Sequence, residues 1–116
     1  MIKAEVKGIG KNAISKEDGL VIFFDETATS DLKDVAIEQK ILTDAAFDLK
    51  IGGSIKINSS VYKINYVGSL VNKNLSTIGH VTLVFKEVPD KPMESAIYLD
   101  PSTFPTFKVG DTIEYN

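Results

Sequence analysis

Short stretches in which apolar and polar residues alternate run along most of this chain and constrain its fold more than any other feature. A period of two predicts strands that bury one face. The uninterrupted apolar run Leu20–Phe24 follows turn-forming residues at 17–19 and predicts a strand covered on both faces. The alternating segments are 2–7, 55–58, 61–66, 80–85, 97–99 and 113–115. The chain therefore reads as a series of short strands.

Helical signals are few. Ser30 could cap a short helix with acidic residues in its first turn, which is where the positive end of a helix dipole favours them. Segment 69–78 predicts a second short helix, and Gly79 follows it at the position where a left-handed residue commonly ends a helix.

The whole chain, residues 1–116, is predicted to form a single domain, because this length suits one domain of ordinary size. Segments 87–95 and 101–106 each carry two prolines and are predicted loops. Many short strands with little helix predict an all-β fold. We expect a small closed or nearly closed β-barrel with one or two short helices, since closure leaves no exposed strand edges.

One local pattern occurs twice. Residues 49–56 and residues 107–114 each place a glycine turn after an apolar residue, and a new strand follows the turn. We interpret the repeat as the same turn chemistry used twice. A true internal duplication is the alternative.

Composition excludes several classes of function. The chain has no cysteine and one histidine, so we expect no disulfide, no metal site and no cofactor. All 13 basic residues are lysines spread along a chain of net charge −3, which argues against nucleic-acid binding. No apolar run is long enough for a signal peptide or a membrane span, so the predicted location is cytoplasmic.

His80 is the one side chain whose ordinary pKa lies near neutrality. Its imidazole could act as a base, a ligand or a phosphoryl acceptor. The alternative is a structural histidine at the start of a strand. Dinucleotide-binding, P-loop and serine-hydrolase motifs are absent, so residue patterns alone lead no further than an all-β domain.

A longer set of residues resembles a known family. It comprises Val67–Ser69, Asn74–Leu75 and Ile78–Leu83, with Phe85 beyond them, and its most specific part is Gly-His-Val-Thr-Leu at 79–83. The N-terminal half is compatible at residues 9–10, 13–14, 20–24 and 31–32. The chain resembles the glucitol/sorbitol-specific enzyme IIA family of the bacterial phosphoenolpyruvate-dependent sugar phosphotransferase system.

This resemblance implies a compact β-barrel and a role in phosphoryl transfer. Members of the family carry a phosphoryl group on histidine, receive it from the histidine phosphocarrier protein and pass it to the IIB/IIC components of the sugar permease. The resemblance implies no metal and no organic cofactor. It also implies contact with the membrane only through the permease.

At one position the chain departs from the family. The acceptor histidine falls shortly after the segment that matches Asp31-Leu32, and counting forward without gaps places it at Gln39. A glutamine amide nitrogen is delocalised into its carbonyl and is not a nucleophile. Glu38 and Lys40 flank this position, and Lys40 could offer a positive charge to a phosphoryl group or simply be a solvated lysine.

Three hypotheses follow. The chain is a IIA component that carries phosphate, with His80 as the remaining candidate acceptor. Alternatively, it is a non-catalytic member of the family with a regulatory or binding role, as Gln39 suggests. The third hypothesis is an unrelated small-ligand-binding barrel, which a structure unlike the family's would favour.

Overall fold

A computed structural model describes all 116 residues and confirms the all-β prediction. The strands close into one barrel in the order β1-β3-β2-β6-β7-β5-β4-β8. They are β1 (Ile2–Ile9), β2 (Leu20–Phe24), β3 (Ile37–Ile41), β4 (Ser54–Ile57), β5 (Ser60–Val67), β6 (Val81–Val84), β7 (Ala96–Asp100) and β8 (Thr112–Tyr115). Two short helices, α1 (Ser30–Val35) and α2 (Val71–Ile78), lie between strands. None of the helices is long and apolar enough to cross a membrane.

The two halves of the barrel share one topology. Strands β1, β2, β3 and β4 correspond to β5, β6, β7 and β8 respectively. When each strand is replaced by its counterpart, the order around the barrel and the set of paired strands stay the same. The parallel pair β2–β3 maps onto the parallel pair β6–β7, while β2–β6 and β4–β8 map onto themselves. Each half has one register irregularity, in β1 after Val6 and in β5 after Ile64.

Individual hydrogen bonds follow the same two-fold relation. The Gly52 amide donates to the Ile64 carbonyl at 2.9 Å, and the Gly110 amide donates to the Val6 carbonyl at 2.9 Å. Both glycines have positive φ, 94° and 95° respectively, which a residue with a side chain rarely adopts. The repeat at 49–56 and 107–114 is therefore part of a pattern that extends through the barrel. Turn chemistry alone is too narrow an interpretation, and the structure favours the internal duplication.

The core fills the inside of the barrel because alternate residues of each strand point inward. In β5, Tyr62 and Ile64 are buried while Val61 and Lys63 are exposed, as the alternation predicts. The run Leu20–Phe24 meets its prediction in part, since its inward residues are fully buried and its outward ones are half-buried.

The helix ends and one strand can be compared with the local predictions. Thr29 is the N-cap of α1 rather than Ser30, and its Oγ1 accepts a hydrogen bond from the Leu32 amide at 3.5 Å. Gly79 ends α2 in the left-handed conformation with φ 59°, as predicted. Strand β3 was not predicted, because the polar Gln39 occupies one of its inward positions and hides the apolar period.

Candidate functional site

Gln39 lies inside the barrel at the middle of β3. Its side chain is 1% exposed, whereas the flanking Glu38 is half-buried and Lys40 is exposed. Successive side chains of a strand point to opposite faces. Glu38 and Lys40 therefore point away from the Gln39 amide, and the exposure of Lys40 agrees with the alternative of a solvated lysine.

Two hydrogen bonds hold the Gln39 carboxamide. Its Nε2 donates to the Gly79 carbonyl oxygen at 2.9 Å, and its Oε1 accepts from the Tyr115 hydroxyl at 2.7 Å. A carbonyl oxygen only accepts, so the Gly79 contact fixes the amide orientation and makes Tyr115 the donor. This polar group is thus buried without an unpaired side-chain atom, which is the condition for tolerating it in a core.

Tyr115 is the buried partner in this arrangement. Burial raises the pKa of its phenol well above the ordinary range, and the hydrogen bond with Gln39 opposes that shift only in part. The phenol therefore remains protonated and able to donate. Its ring packs edge-on against Phe47, with the centroids 5.5 Å apart.

His80 directly follows Gly79 and is half-buried. Its Nδ1 lies 3.0 Å from the carbonyl oxygen of Phe23, and the ring stacks on Phe24 with a centroid distance of 4.2 Å and an interplanar angle of 13°. Because that carbonyl accepts only, the contact assigns the proton to Nδ1. In the neutral ring, Nε2 then keeps a lone pair, which is the form that a nucleophilic or ligating imidazole requires.

Gly79 joins the two sequence-predicted residues. Its carbonyl oxygen accepts from Gln39 and its peptide bond leads into His80, so both lie where the end of α2 meets the barrel. The Asp25 amide donates to the Ile78 carbonyl at 3.0 Å and fastens this end of α2 to the end of β2. The glutamine faces the core, however, while the imidazole lies on the outer side against Phe24.

A cleft of about 460 Å³ opens near this junction, between the loop after β3 and the last turns of α2. Asp25, Thr43 and Asp44 provide polar atoms to its wall, and Ile41, Phe47 and Leu75 provide apolar ones. No group of three or more histidine, aspartate or glutamate side chains is placed to hold a metal ion.

Sequence reasoning missed the residues that complete the site. Alternation identified Tyr115 as one face of a strand but gave no sign that its hydroxyl meets Gln39, 76 positions away. The only available signal was that an inward tyrosine needs a partner for its hydroxyl. The identity of that partner depends on how the barrel closes.

The family comparison agrees with the fold and extends along almost the whole chain. The model of the family described as PTS system glucitol/sorbitol-specific IIA component matches residues 1–114. The chain belongs to this family. The crystal structure of the PTS system IIA component from Enterococcus faecalis V583 is similar to this IIA-family chain, with 37% sequence identity and a TM-score of 0.93. That similarity covers 97% of this chain and 98% of that one.

A comparison with curated protein sequences gives no match. The family assignment nevertheless removes the hypothesis of an unrelated ligand-binding barrel, because both fold and sequence agree with the IIA family. IIA-family proteins interact with other components of the sugar phosphotransferase system, and this chain has the barrel on which the family is built.

Proposed function

We propose that this chain takes the place of a IIA component in a glucitol/sorbitol-type phosphotransferase system, as a binding or regulatory member that carries no phosphoryl group at residue 39. Its partners are then the histidine phosphocarrier protein and the IIB/IIC components of the permease. The family match supports the pathway. The chemistry at residue 39 supports the regulatory role.

The observation that carries this proposal is the state of the Gln39 side chain. Phosphoryl transfer to a protein needs a nucleophile with an available lone pair in line with phosphorus. The Gln39 amide nitrogen is delocalised, donates to the Gly79 carbonyl and is 1% exposed. It lacks the lone pair that the reaction requires.

His80 provides a second candidate function, that of a phosphoryl carrier. The Nδ1 contact with the Phe23 carbonyl leaves Nε2 with its lone pair, and the ring is half-buried rather than enclosed. On this alternative the chain keeps the activity of a phosphate-carrying IIA component, with its acceptor moved from residue 39 to residue 80. The same experiment separates the two functions.

The test is intact-protein mass spectrometry after incubation with phosphoenolpyruvate, enzyme I and the histidine phosphocarrier protein. We expect no added phosphoryl group on this chain, while a family member with histidine at the acceptor position becomes labelled in the same reaction. Acid-labile phosphate on the wild-type chain would overturn the regulatory role. Loss of that label in His80→Gln would then assign it to the imidazole.

Gln39→His tests whether residue 39 is the acceptor position. The variant restores a nucleophile where the resemblance places one, so we expect it to gain acid-labile phosphate under the same conditions. The matched control is Gln39→Asn, which keeps an amide and should remain unlabelled. An unlabelled but folded Gln39→His variant would count against the assignment of the acceptor to this position.

A further inference from the structure

An apolar groove of about 190 Å³ lies beside His80, between the end of β2, the α1 segment and the end of α2. Phe24, Leu32 and Ile78 provide its apolar lining. Leu32 and Ile78 remain 37% and 38% exposed, and α1 buries none of its residues. The leucine of this helix therefore faces a groove that the chain itself does not fill.

The chain segment that contributes most of the groove's lining is acidic, and its carboxylates are called the acidic rim below. Residues 25–34 carry four carboxylates, those of Asp25, Glu26, Asp31 and Asp34, against the single ammonium group of Lys33. The ion pairs of the molecule are Lys7–Glu5 and Lys50–Asp48, so none of the four carboxylates is paired. Asp25 lines the cleft of about 460 Å³ and Lys33 lines a cavity formed with Gly8–Gly10 and Glu38, so Glu26, Asp31 and Asp34 remain as the exposed acidic groups of the segment.

We propose that this groove docks the histidine phosphocarrier protein, through an apolar contact on that protein surrounded by lysine or arginine residues. The inference rests on the proposed function, which supplies the partner. The structure supplies the location of the contact, its apolar lining and its negative charge. An apolar centre with a charged rim is the usual anatomy of a protein interface, and charge of the opposite sign on the partner both steers and selects the encounter.

The groove lies next to both candidate residues, His80 and Gln39, which a partner of a IIA component would have to approach. The His80 ring stacks on Phe24, which lines the groove, and Ile78 precedes the glycine whose carbonyl holds Gln39. A partner seated here would contact the junction that joins both candidate residues. A second copy of this chain is a poorer occupant, because a two-fold contact would bring one acidic rim against another.

The test is an NMR titration of the ¹⁵N-labelled chain with the unlabelled histidine phosphocarrier protein. We expect the largest shifts at Phe24, Leu32 and Ile78, and weaker binding as salt screens the rim. Leu32→Asp should weaken binding by about tenfold or more, since it places a charge in the apolar centre. Val61→Asp is the control, because Val61 is 61% exposed on the distant strand β5, and it should leave the affinity within about twofold.

A second pair of variants tests the rim. Asp31→Lys should weaken binding and flatten its salt dependence, whereas Glu87→Lys, which changes the charge by the same amount in an exposed loop elsewhere, should do neither. Binding with shifts centred away from the groove, or binding unaffected by Leu32→Asp, would overturn the docking site and leave the proposed function standing. Occupation of the groove by the permease IIB domain alone would overturn the choice of partner.

If the chain binds neither the histidine phosphocarrier protein nor the permease IIB domain, that result would instead contradict the proposed function, and the docking proposal with it. Phosphate labelling of the wild type bears on the regulatory role and not on this surface. Self-association through the groove, seen as concentration-dependent sedimentation that Leu32→Asp abolishes, would replace the partner with a second copy of this chain.

Discussion

At the scale of single residues, the site depends on one amide buried among apolar side chains. Gln39 is tolerated there because Tyr115 and the Gly79 carbonyl satisfy both ends of its carboxamide. Burial of an unpaired polar group costs free energy, so the three groups depend on one another. The arrangement holds the glutamine side chain in place and withholds its nitrogen from chemistry.

Tyr115→Phe should destabilise the protein by about 1–3 kcal/mol, because it leaves the Gln39 oxygen without a donor in the core. Urea unfolding at neutral pH measures the change. Tyr66→Phe is the matched control, since Tyr66 is half-buried and outside this hydrogen-bond pair, and it should change stability by less than about 0.5 kcal/mol. Equal effects of the two substitutions would mean that the Tyr115 hydroxyl contributes nothing.

From the burial of Tyr115 we also predict how the free energy of unfolding depends on pH in the alkaline range. Burial raises the pKa of Tyr115, and burial also raises the pKa of Tyr62. Above about pH 10, the ordinary tyrosine pKa, the unfolded chain releases these protons while the folded chain keeps them. The free energy of unfolding is therefore lost as pH rises beyond about 10, with a limiting slope of about 1.4 kcal/mol per pH unit from Tyr115.

Urea midpoints measured between about pH 8 and about pH 11 test this dependence. Tyr115→Phe should make the fall shallower, because phenylalanine has no proton to release. A wild-type midpoint that stays constant over this range, or an equally steep fall in the variant, would contradict the linkage to Tyr115.

At the scale of elements, the junction at the end of α2 positions both candidate residues. Gly79 takes the left-handed conformation that ends the helix, and its carbonyl then points at Gln39. A Cβ added at Gly79 would lie 2.8 Å from the Cβ of Asp25, closer than carbon atoms approach without displacement. This glycine is therefore required both by its φ and by the close approach of β2.

Gly79→Ala should be more destabilising than Gly52→Ala. Both glycines have positive φ, so both substitutions impose backbone strain of about 1–3 kcal/mol, but a Cβ at Gly52 meets nothing within 4 Å. Only Gly79→Ala also forces Asp25, which directly follows β2, away from the end of α2. Thermal unfolding ranks the two variants, and a Gly79→Ala protein no less stable than Gly52→Ala would show that the junction yields easily.

At the scale of the whole molecule, the two-fold topology relates the chain ends to an internal hairpin. Ile57 pairs with Ser60 across the two-residue turn Asn58-Ser59, in which Asn58 has φ 53°. Tyr115 pairs with Ile2 in the same way, and Asn116 and Met1 extend beyond that pair. The ends therefore occupy the places that Asn58 and Ser59 occupy in the other half.

A circular permutant should consequently fold without any linker. Joining Asn116 directly to Met1 makes a two-residue turn, and opening the chain between Asn58 and Ser59 cuts an exposed turn. We expect cooperative unfolding and an NMR spectrum close to that of the parent. Opening the joined chain between Lys63 and Ile64 instead should prevent folding, because β5 pairs with both β4 and β7.

The sequence alone determined much of this protein. Alternation specified the strands with apolar inward positions, such as Tyr62 and Ile64, because the period of a strand is local and needs no knowledge of its partners. Gly79 was recognisable as a helix end for the same local reason. The residues at 79–83 indicated the family, and that indication proved correct.

Only the tertiary structure decided which residues meet. Gln39 concealed β3 by placing an amide at an inward position, and the donor and acceptor that make it tolerable come from strand β8 and the end of α2. The two-fold relation between halves was visible in sequence only as two similar turns. Such contacts join residues far apart in the chain, and no local period or propensity encodes them, because they exist only once the barrel has closed.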